Sequence, residues 1–391
     1  MRFSKRTNWE ASSNRLSKTV ERKRKEGCPL IDLTESNPTR CSFNYLKPDF
    51  LKPLADPKSL LYEPDPRGLL EAREAVCHYY SAKGIKVEPD QVFLTASTSE
   101  AYTFLFRLLL DTGDTALAPR PSYPLFSYLS DLNDVQLEHY SLAYESGWFI
   151  DFQSLERHFH RNPKALILVN PNNPTGNFVH EDEREFLNGL CGNREMSIIS
   201  DEVFNDFNLS GDAKQPASYA GNELALTFTL GGISKILGLP QMKLSWIVVS
   251  GPQEICKKAA ERLEIIADTY LSVNTPAQWA LSAWLPESGP VIEEIRRRLS
   301  DNREYLIQTM KGKESVRVLK CEGGWYAVLE ISVSLSDEEL ALNLLEKQNV
   351  LTYPGYFFDF PEGNFIVLSL LPKAETFKEG VNRILVVAGQ S

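Results

Sequence analysis

The chain has 391 residues, 42% of them hydrophobic and 24% charged. That balance excludes wholesale disorder, and at about 150 residues per domain it predicts two or three domains. Lys and Arg number 42 against 52 Asp and Glu, a net charge of −10, which excludes nucleic acid or an anionic membrane as a partner drawn by bulk charge.

The first 27 residues, MRFSKRTNWEASSNRLSKTVERKRKEG, are basic. They lack the apolar stretch of a secretory signal, and no run of about 18 apolar residues anywhere could cross a bilayer. Their charges alternate with Ser, Asn and Glu, which predicts an amphipathic or flexible helical lead-in and not a nucleic-acid arm. Further on, an apolar strand over 92–97 runs into a helix over 99–113, stopped by Gly113. Apolar strands follow at 115–119, 164–170, 196–200, 225–230 and 246–250, with a helix over 181–190. Short apolar runs joined by crossovers predict a mostly parallel sheet with helices on both faces. His158 and His160 fall at the end of a helical stretch and read as surface residues. After 251 the pattern changes to helices over 251–270, 276–285 and 291–310, the Arg296–Arg298 cluster marking the wet face of the last. Strands over 316–320, 323–331 and 364–371 then surround a helix over 336–348. The expectation is a large α/β domain over 45–285 and a smaller α+β domain made of 1–44 and 286–391. The six cysteines form no CxxC pair and no zinc-spaced cluster, so no metal site is expected, and scattered thiols predict the reducing cytoplasm.

In open α/β sheets ligands gather beyond the carboxyl ends of the strands. Four polar groups of residues fall there: Ser97-Thr98-Ser99-Glu100, Asn170 to Gly176 (NPNNPTG), Asp201-Glu202, and Gly231-Gly232-Ile233-Ser234-Lys235. A lysine amine can form a Schiff base with an aldehyde. A carboxylate at the end of an apolar strand is costly unless it meets a positive partner.

In this order the segments resemble the class I/II aminotransferases, the fold-type-I pyridoxal-phosphate enzymes. The likeness runs through IDLTESNP (31–38), YEPDPRGLLEAR (62–73), TASTSEA (95–101), PSYPLF (121–126), NPNNPTGN, SDEVF and ISKILGLPQMKLSW (233–246). It implies an α/β fold with a mostly parallel, seven-stranded type of sheet and a smaller α+β domain. It also implies pyridoxal 5'-phosphate held on Lys235 as an aldimine, and a ping-pong transfer of an amino group between an amino acid and a 2-oxo acid. Asp201 would pair with the pyridine nitrogen, Asn173 would bind the ring oxygen and orient the substrate, and Tyr123 would stack on the ring. Thr98, Ser99 and Lys243 would hold the phosphate. Tyr62 would reach the phosphate of a neighbouring subunit, which implies a homodimer with shared active sites. The same residues would also serve a carbon–sulfur β-lyase. A ligand-sensing domain of a transcription regulator is disfavoured, because only some 30 residues precede the family-like region, too few for a winged helix.

The chain departs from the family pattern at four positions. Lys243 replaces an arginine and loses its bidentate fork. Phe204 replaces a tyrosine, and Gly232 replaces a serine three residues before the lysine. Val367 stands where relatives carry the arginine that clamps the substrate carboxylate. Arg40, Arg67 and Arg120 are the candidate surrogates, with Arg40 the first choice because it follows the NP turn that borders the substrate in relatives.

Overall fold

A computed structural model describes residues 2–9, 14–45, 47–211, 217–361 and 363–388. Its larger sheet has eight strands: β1 (Val92–Thr95), β2 (Thr115–Arg120), β3 (Gln136–Tyr144), β4 (Trp148–Ile150), β5 (Ala165–Val169), β6 (Ser197–Asp201), β7 (Thr227–Gly232) and β8 (Ser245–Ser250). They lie in the order β1-β8-β7-β6-β5-β2-β3-β4. The neighbours from β7 through to β3 pair in parallel, while β8 and β4 run against the rest. The central strands are buried throughout because both faces are covered. Ile167, Ile199 and Phe228 point to one side with Phe104, Leu105 and Leu263, and Leu166, Leu168 and Ile198 to the other with Leu187. The expected seven-stranded sheet thus has an eighth strand. The hairpin of β3 and β4 escapes sequence reading because QLEHYSLAY, next to the sheet edge, has polar residues interspersed, and only Tyr140 and Leu142 of β3 are buried.

A second, antiparallel sheet is built from β9 (Val316–Val318), β10 (Tyr326–Ile331), β11 (Tyr353–Pro354) and β12 (Phe365–Ser369), in the order β9-β10-β12-β11. The long helix Ser288–Met310 and the helix Ala374–Ala388 pack together behind it through Leu299, Leu306, Phe377 and Ile384. The lead-in forms α1 (Arg15–Lys25), started by Asn14, whose side chain accepts the Ser17 N–H at 2.7 Å. It docks Leu16 on Ala341 and Leu345, and the buried Lys23 donates to the Asn349 side chain at 2.6 Å. Residues 10–13 of the lead-in lie outside the described residues.

One surface expectation changes. Arg296 donates to the Asp206 carbonyl at 2.6 Å, and Arg298 lies over the Phe43 ring at 5.1 Å. That face of the helix is therefore half-buried against the loop after β6 and the lead-in, and only Arg297 is fully exposed. The His158 stretch follows the short helix Phe152–Glu156, with His160 exposed and His158 Nδ1 3.4 Å from Glu138. Among the described residues no group of three or more His, Cys, Asp or Glu could hold a metal ion, and no helix is long and apolar enough to cross a membrane.

Candidate active site

Strands β1, β2, β5, β6 and β7 all end at one rim, and β8, running oppositely, begins there. The register sets Val169, Asp201 and Leu230 side by side, and likewise Thr95, Ser245 and Gly232. The polar segments after these strands therefore converge although they are far apart in the chain.

Asp201 closes β6 and is buried. Its Oδ1 accepts the Val203 N–H and its Oδ2 the Tyr102 hydroxyl, each at 3.2 Å. Burial pushes its carboxyl up to about 6 from the usual 3.8, against the pull of those two donors and of Lys235. Lys235 sits in the single helical turn Ile233–Ile236 that follows β7. Its Nζ lies 4.6 Å from the Trp325 ring centre and 5.2 Å from that of Phe204. Burial among these rings pulls the amine down to about 8, with Asp201 opposing.

The loop after β5 is tied down on several sides. The Asn172 amide donates to the Pro121 carbonyl at 3.0 Å and to Thr175 Oγ1 at 2.7 Å, and Gly323 N–H donates to the Gly176 carbonyl at 2.8 Å. Gly176 has a φ of 73°, and a Cβ there would lie 2.4 Å from Cys321 Sγ, so only glycine lets the loop approach the chain before Trp325. The clamp leaves the Asn173 side chain buried with its Oδ1 unpartnered. Tyr123, 45% exposed, follows β2 and raises its head near Asp201, whose charge helps push its hydroxyl up, after burial. Thr98 opens α2 (Thr98–Leu109), with the Ser97 side chain accepting the Glu100 N–H at 3.1 Å. The amides of Thr98 and Ser99 thus begin a helix, where no preceding carbonyl is in reach and an anion is favoured. The set is an amine for an aldehyde, a buried carboxylate for a ring N–H, an unspent amide and a helix start for a phosphate. These residues fit pyridoxal phosphate.

A family model described as aminotransferase class I and II matches residues 29–384. The chain belongs to the class I and II aminotransferases. It is 26% identical over 374 residues to the glutamate-pyruvate aminotransferase AlaA of Haemophilus influenzae, covering 94% of this chain and 92% of that one. It is 28% identical over 372 residues to the alanine aminotransferase of Mycobacterium bovis, covering 92% and 85%. The solved alanine aminotransferase from Pyrococcus furiosus superposes with a TM-score of 0.90 at 25% identity, over 100% of both chains. The protein is a pyridoxal-phosphate-dependent transaminase, and these relatives do not favour the β-lyase alternative.

The positions expected to depart from the family pattern, and the candidate surrogate cations, each have a definite place in the aminotransferase's structure. A Cβ on Gly232 would lie 2.4 Å from Ser245 Oγ, so the hydroxyl of Ser245, opposite in the register, fills the space a side chain at 232 would need. Lys243 is exposed at the rim with a φ of 53°. Val367 is fully buried in β12, opposite Val328 and Tyr353. Arg67 is committed to Glu264 at 2.8 Å and the Asp90 carbonyl at 2.7 Å, and Arg120 donates to the Asp359 carbonyl at 2.9 Å. Arg40 has a side chain 73% exposed, 3.9 Å from Glu35. Glu35 in turn acts on the hydroxyls of Tyr326 and Tyr353, which also feel Tyr123. Tyr62 is not brought to Lys235 within the chain. It is 76% exposed and shares a cleft with Leu69, Phe104 and Leu271. The sequence reading passes over Tyr102, Trp325 and Ser245, since each looks like ordinary core and only the folded register reveals its neighbour.

Proposed function

We propose that Lys235 is the catalytic base and cofactor anchor of this transaminase and that Asp201 holds the proton on the ring nitrogen. Asn173, Tyr123, Thr98, Ser99 and Lys243 complete the cofactor contacts. The supporting observation is the opposed pair of proton affinities in one pocket, an amine drawn down to about 8 facing a carboxylate pushed up to about 6. Pyridoxal 5'-phosphate, when bound, supplies the aldehyde that carries the amino group and a protonated ring that withdraws electrons.

At that affinity Lys235 Nζ is uncharged far more often near neutral pH than a solvated lysine, so it can act as a nucleophile and then as a base toward the substrate's α-carbon proton. Asp201 stays ionised with the help of the Val203 N–H and the Tyr102 hydroxyl. Asn173 offers its amide toward the ring oxygen and the substrate. Phe204 has no hydroxyl to share that task. Thr98 and Ser99 present amides, and Lys243 a charge, to the phosphate. Arg40 meets the substrate carboxylate in place of a cation at 367. It stands 3.9 Å from Glu35, whose charge acts on the hydroxyls of Tyr326 and Tyr353.

Function in a homodimer follows the same reading. Tyr62, with Leu60 and Leu61 beside it, is an exposed apolar run suited to burial against a second copy, where Tyr62 would serve the partner's phosphate site. Residues 45–285 form the cofactor domain, and 1–44 with 286–391 the smaller one; the parallel pairing of Ile31–Asp32 with Val350–Leu351 supports that grouping. A cytoplasmic location agrees with the described cysteines being unpaired. Alanine and glutamate as donors, with pyruvate as an acceptor, come first from the relatives' names. Borohydride reduction of the holoenzyme, followed by peptide mapping, tests the core assignment. The adduct is expected on Lys235, and Lys235→Ala should lose both adduct and turnover. Labelling of another lysine refutes the assignment.

A further inference from the structure

Tyr102 lies on the second turn of α2, 3% exposed. Its ring sits edge-on to Phe126, with centroids 5.2 Å apart, and beside Phe106 at 6.1 Å. A phenylalanine would satisfy that packing. A hydroxyl carried into it costs desolvation unless a partner waits. The partner is Asp201: the hydroxyl donates to Oδ2 at 3.2 Å, the one hydrogen bond of that oxygen among the described residues. The other carboxylate oxygen is taken by Val203 N–H. Each oxygen of Asp201 therefore has one protein donor, one from the loop that follows β6 and one from a helix on the face of the sheet.

We infer that Tyr102 is a positioning residue that keeps the Asp201 carboxylate ionised and turned toward the ring nitrogen. The inference rests on the assignment of Asp201 to that nitrogen. Burial and the neighbouring charge hold Tyr102's own proton firmly, so it stays a donor at every pH at which the enzyme works. Without it, Oδ2 loses its partner in a buried site. The proton shared between Asp201 and the ring nitrogen then moves toward the carboxylate, and the ring withdraws electrons less well.

The test is Tyr102→Phe in holoenzyme reconstituted with cofactor labelled with nitrogen-15 in the ring. The nitrogen resonance is expected to move toward its unprotonated position. The pH titration of the bound cofactor's absorbance should move with it. The turnover number should fall about 10- to 100-fold with the Michaelis constant nearly unchanged, the scale of a hydrogen bond to a charged group. In an Asp201→Ala background the same change should cost almost nothing more, because the group through which Tyr102 acts is gone. A folded, cofactor-loaded Tyr102→Phe enzyme with an unmoved nitrogen resonance overturns the inference, as do penalties that multiply in the double variant. Parent-like turnover in Asp201→Ala alone would instead overturn the underlying role of Asp201.

Discussion

Asp201→Asn is expected to make the cofactor-free protein more stable while crippling the enzyme. The carboxyl group is buried, and its proton affinity stands at about 6 against an ordinary 3.8. Each tenfold change in proton affinity is worth about 1.4 kcal/mol, so ionised Asp201 costs the empty protein up to about 3 kcal/mol at neutral pH. The sign follows from proton binding. The native state holds more protons than the unfolded chain between about pH 4 and 6, so the parent loses stability as pH rises through that window, and the loss is complete above it. An amide carries no such cost. Its oxygen can keep the Val203 N–H, and the Tyr102 hydroxyl can turn to accept from the amide nitrogen. Allowing for imperfect geometry, the gain at pH 7 is about 1–3 kcal/mol, shrinking toward zero near pH 4. Urea unfolding of the cofactor-free parent and variant between pH 4.5 and 7.5 measures it, as a higher midpoint at unchanged slope. Turnover of the loaded variant should collapse, because an amide cannot hold a positive ring, whereas Asp201→Glu should retain more activity than Asp201→Ala. A variant that is less stable than the parent at pH 7, or whose midpoint follows pH as the parent's does, refutes the reasoning.

Gly232→Ser places a Cβ 2.4 Å from Ser245 Oγ and 3.1 Å from its Cα, an overpacking worth about 1–3 kcal/mol. It should lower both melting temperature and cofactor affinity, and adding Ser245→Gly should restore them. Equilibrium dialysis of the cofactor decides, and an untroubled single variant refutes the geometry. Mixing inactive Lys235→Ala and Tyr62→Phe chains should regenerate activity through one intact hybrid site, and a monomer in sedimentation at working concentration rules that out. Arg40→Ala should raise the Michaelis constant for the preferred amino acid by roughly 30-fold or more, the usual loss when one partner of a closed-site ion pair is removed. Cofactor absorbance should stay as it was, and an unchanged Michaelis constant removes Arg40 from the role.

The strands at the centre of the large sheet announce themselves in sequence. ALILV is apolar on every residue and SIIS sets two isoleucines between small serines, and all of these positions are buried, as in a strand covered on both faces. The order of NNPTG, SDE and SK along the chain, each just past such a strand, is equally plain, because a parallel sheet puts every carboxyl end at one rim. The hairpin of β3 and β4 is not visible in this way. β3 lies next to the sheet edge and is buried on part of one face only, so QLEHYSLAY has no pattern to separate it from a loop. Arg296 and Arg298 mislead for the converse reason: a charged stretch of helix reads as solvated until another segment brings carbonyls and a ring to meet it.

The chain's sequence determines which residue types stand at the strand ends, since hydrophobic runs and the punctuation between them are local properties. It also shows that Val367 cannot bind a carboxylate and that Phe204 has no hydroxyl to give. Tertiary structure alone decides who faces whom. It sets Tyr102 against Asp201, Ser245 in the space above Gly232, and Trp325 beside Lys235. It also leaves Arg40 held only by a long 3.9 Å contact to Glu35 where Arg67 and Arg120 donate closer hydrogen bonds. Those pairings come from strand register and from helices packed across the sheet, which join residues distant in the chain, and burial there moves the amine and the carboxylate toward each other in proton affinity.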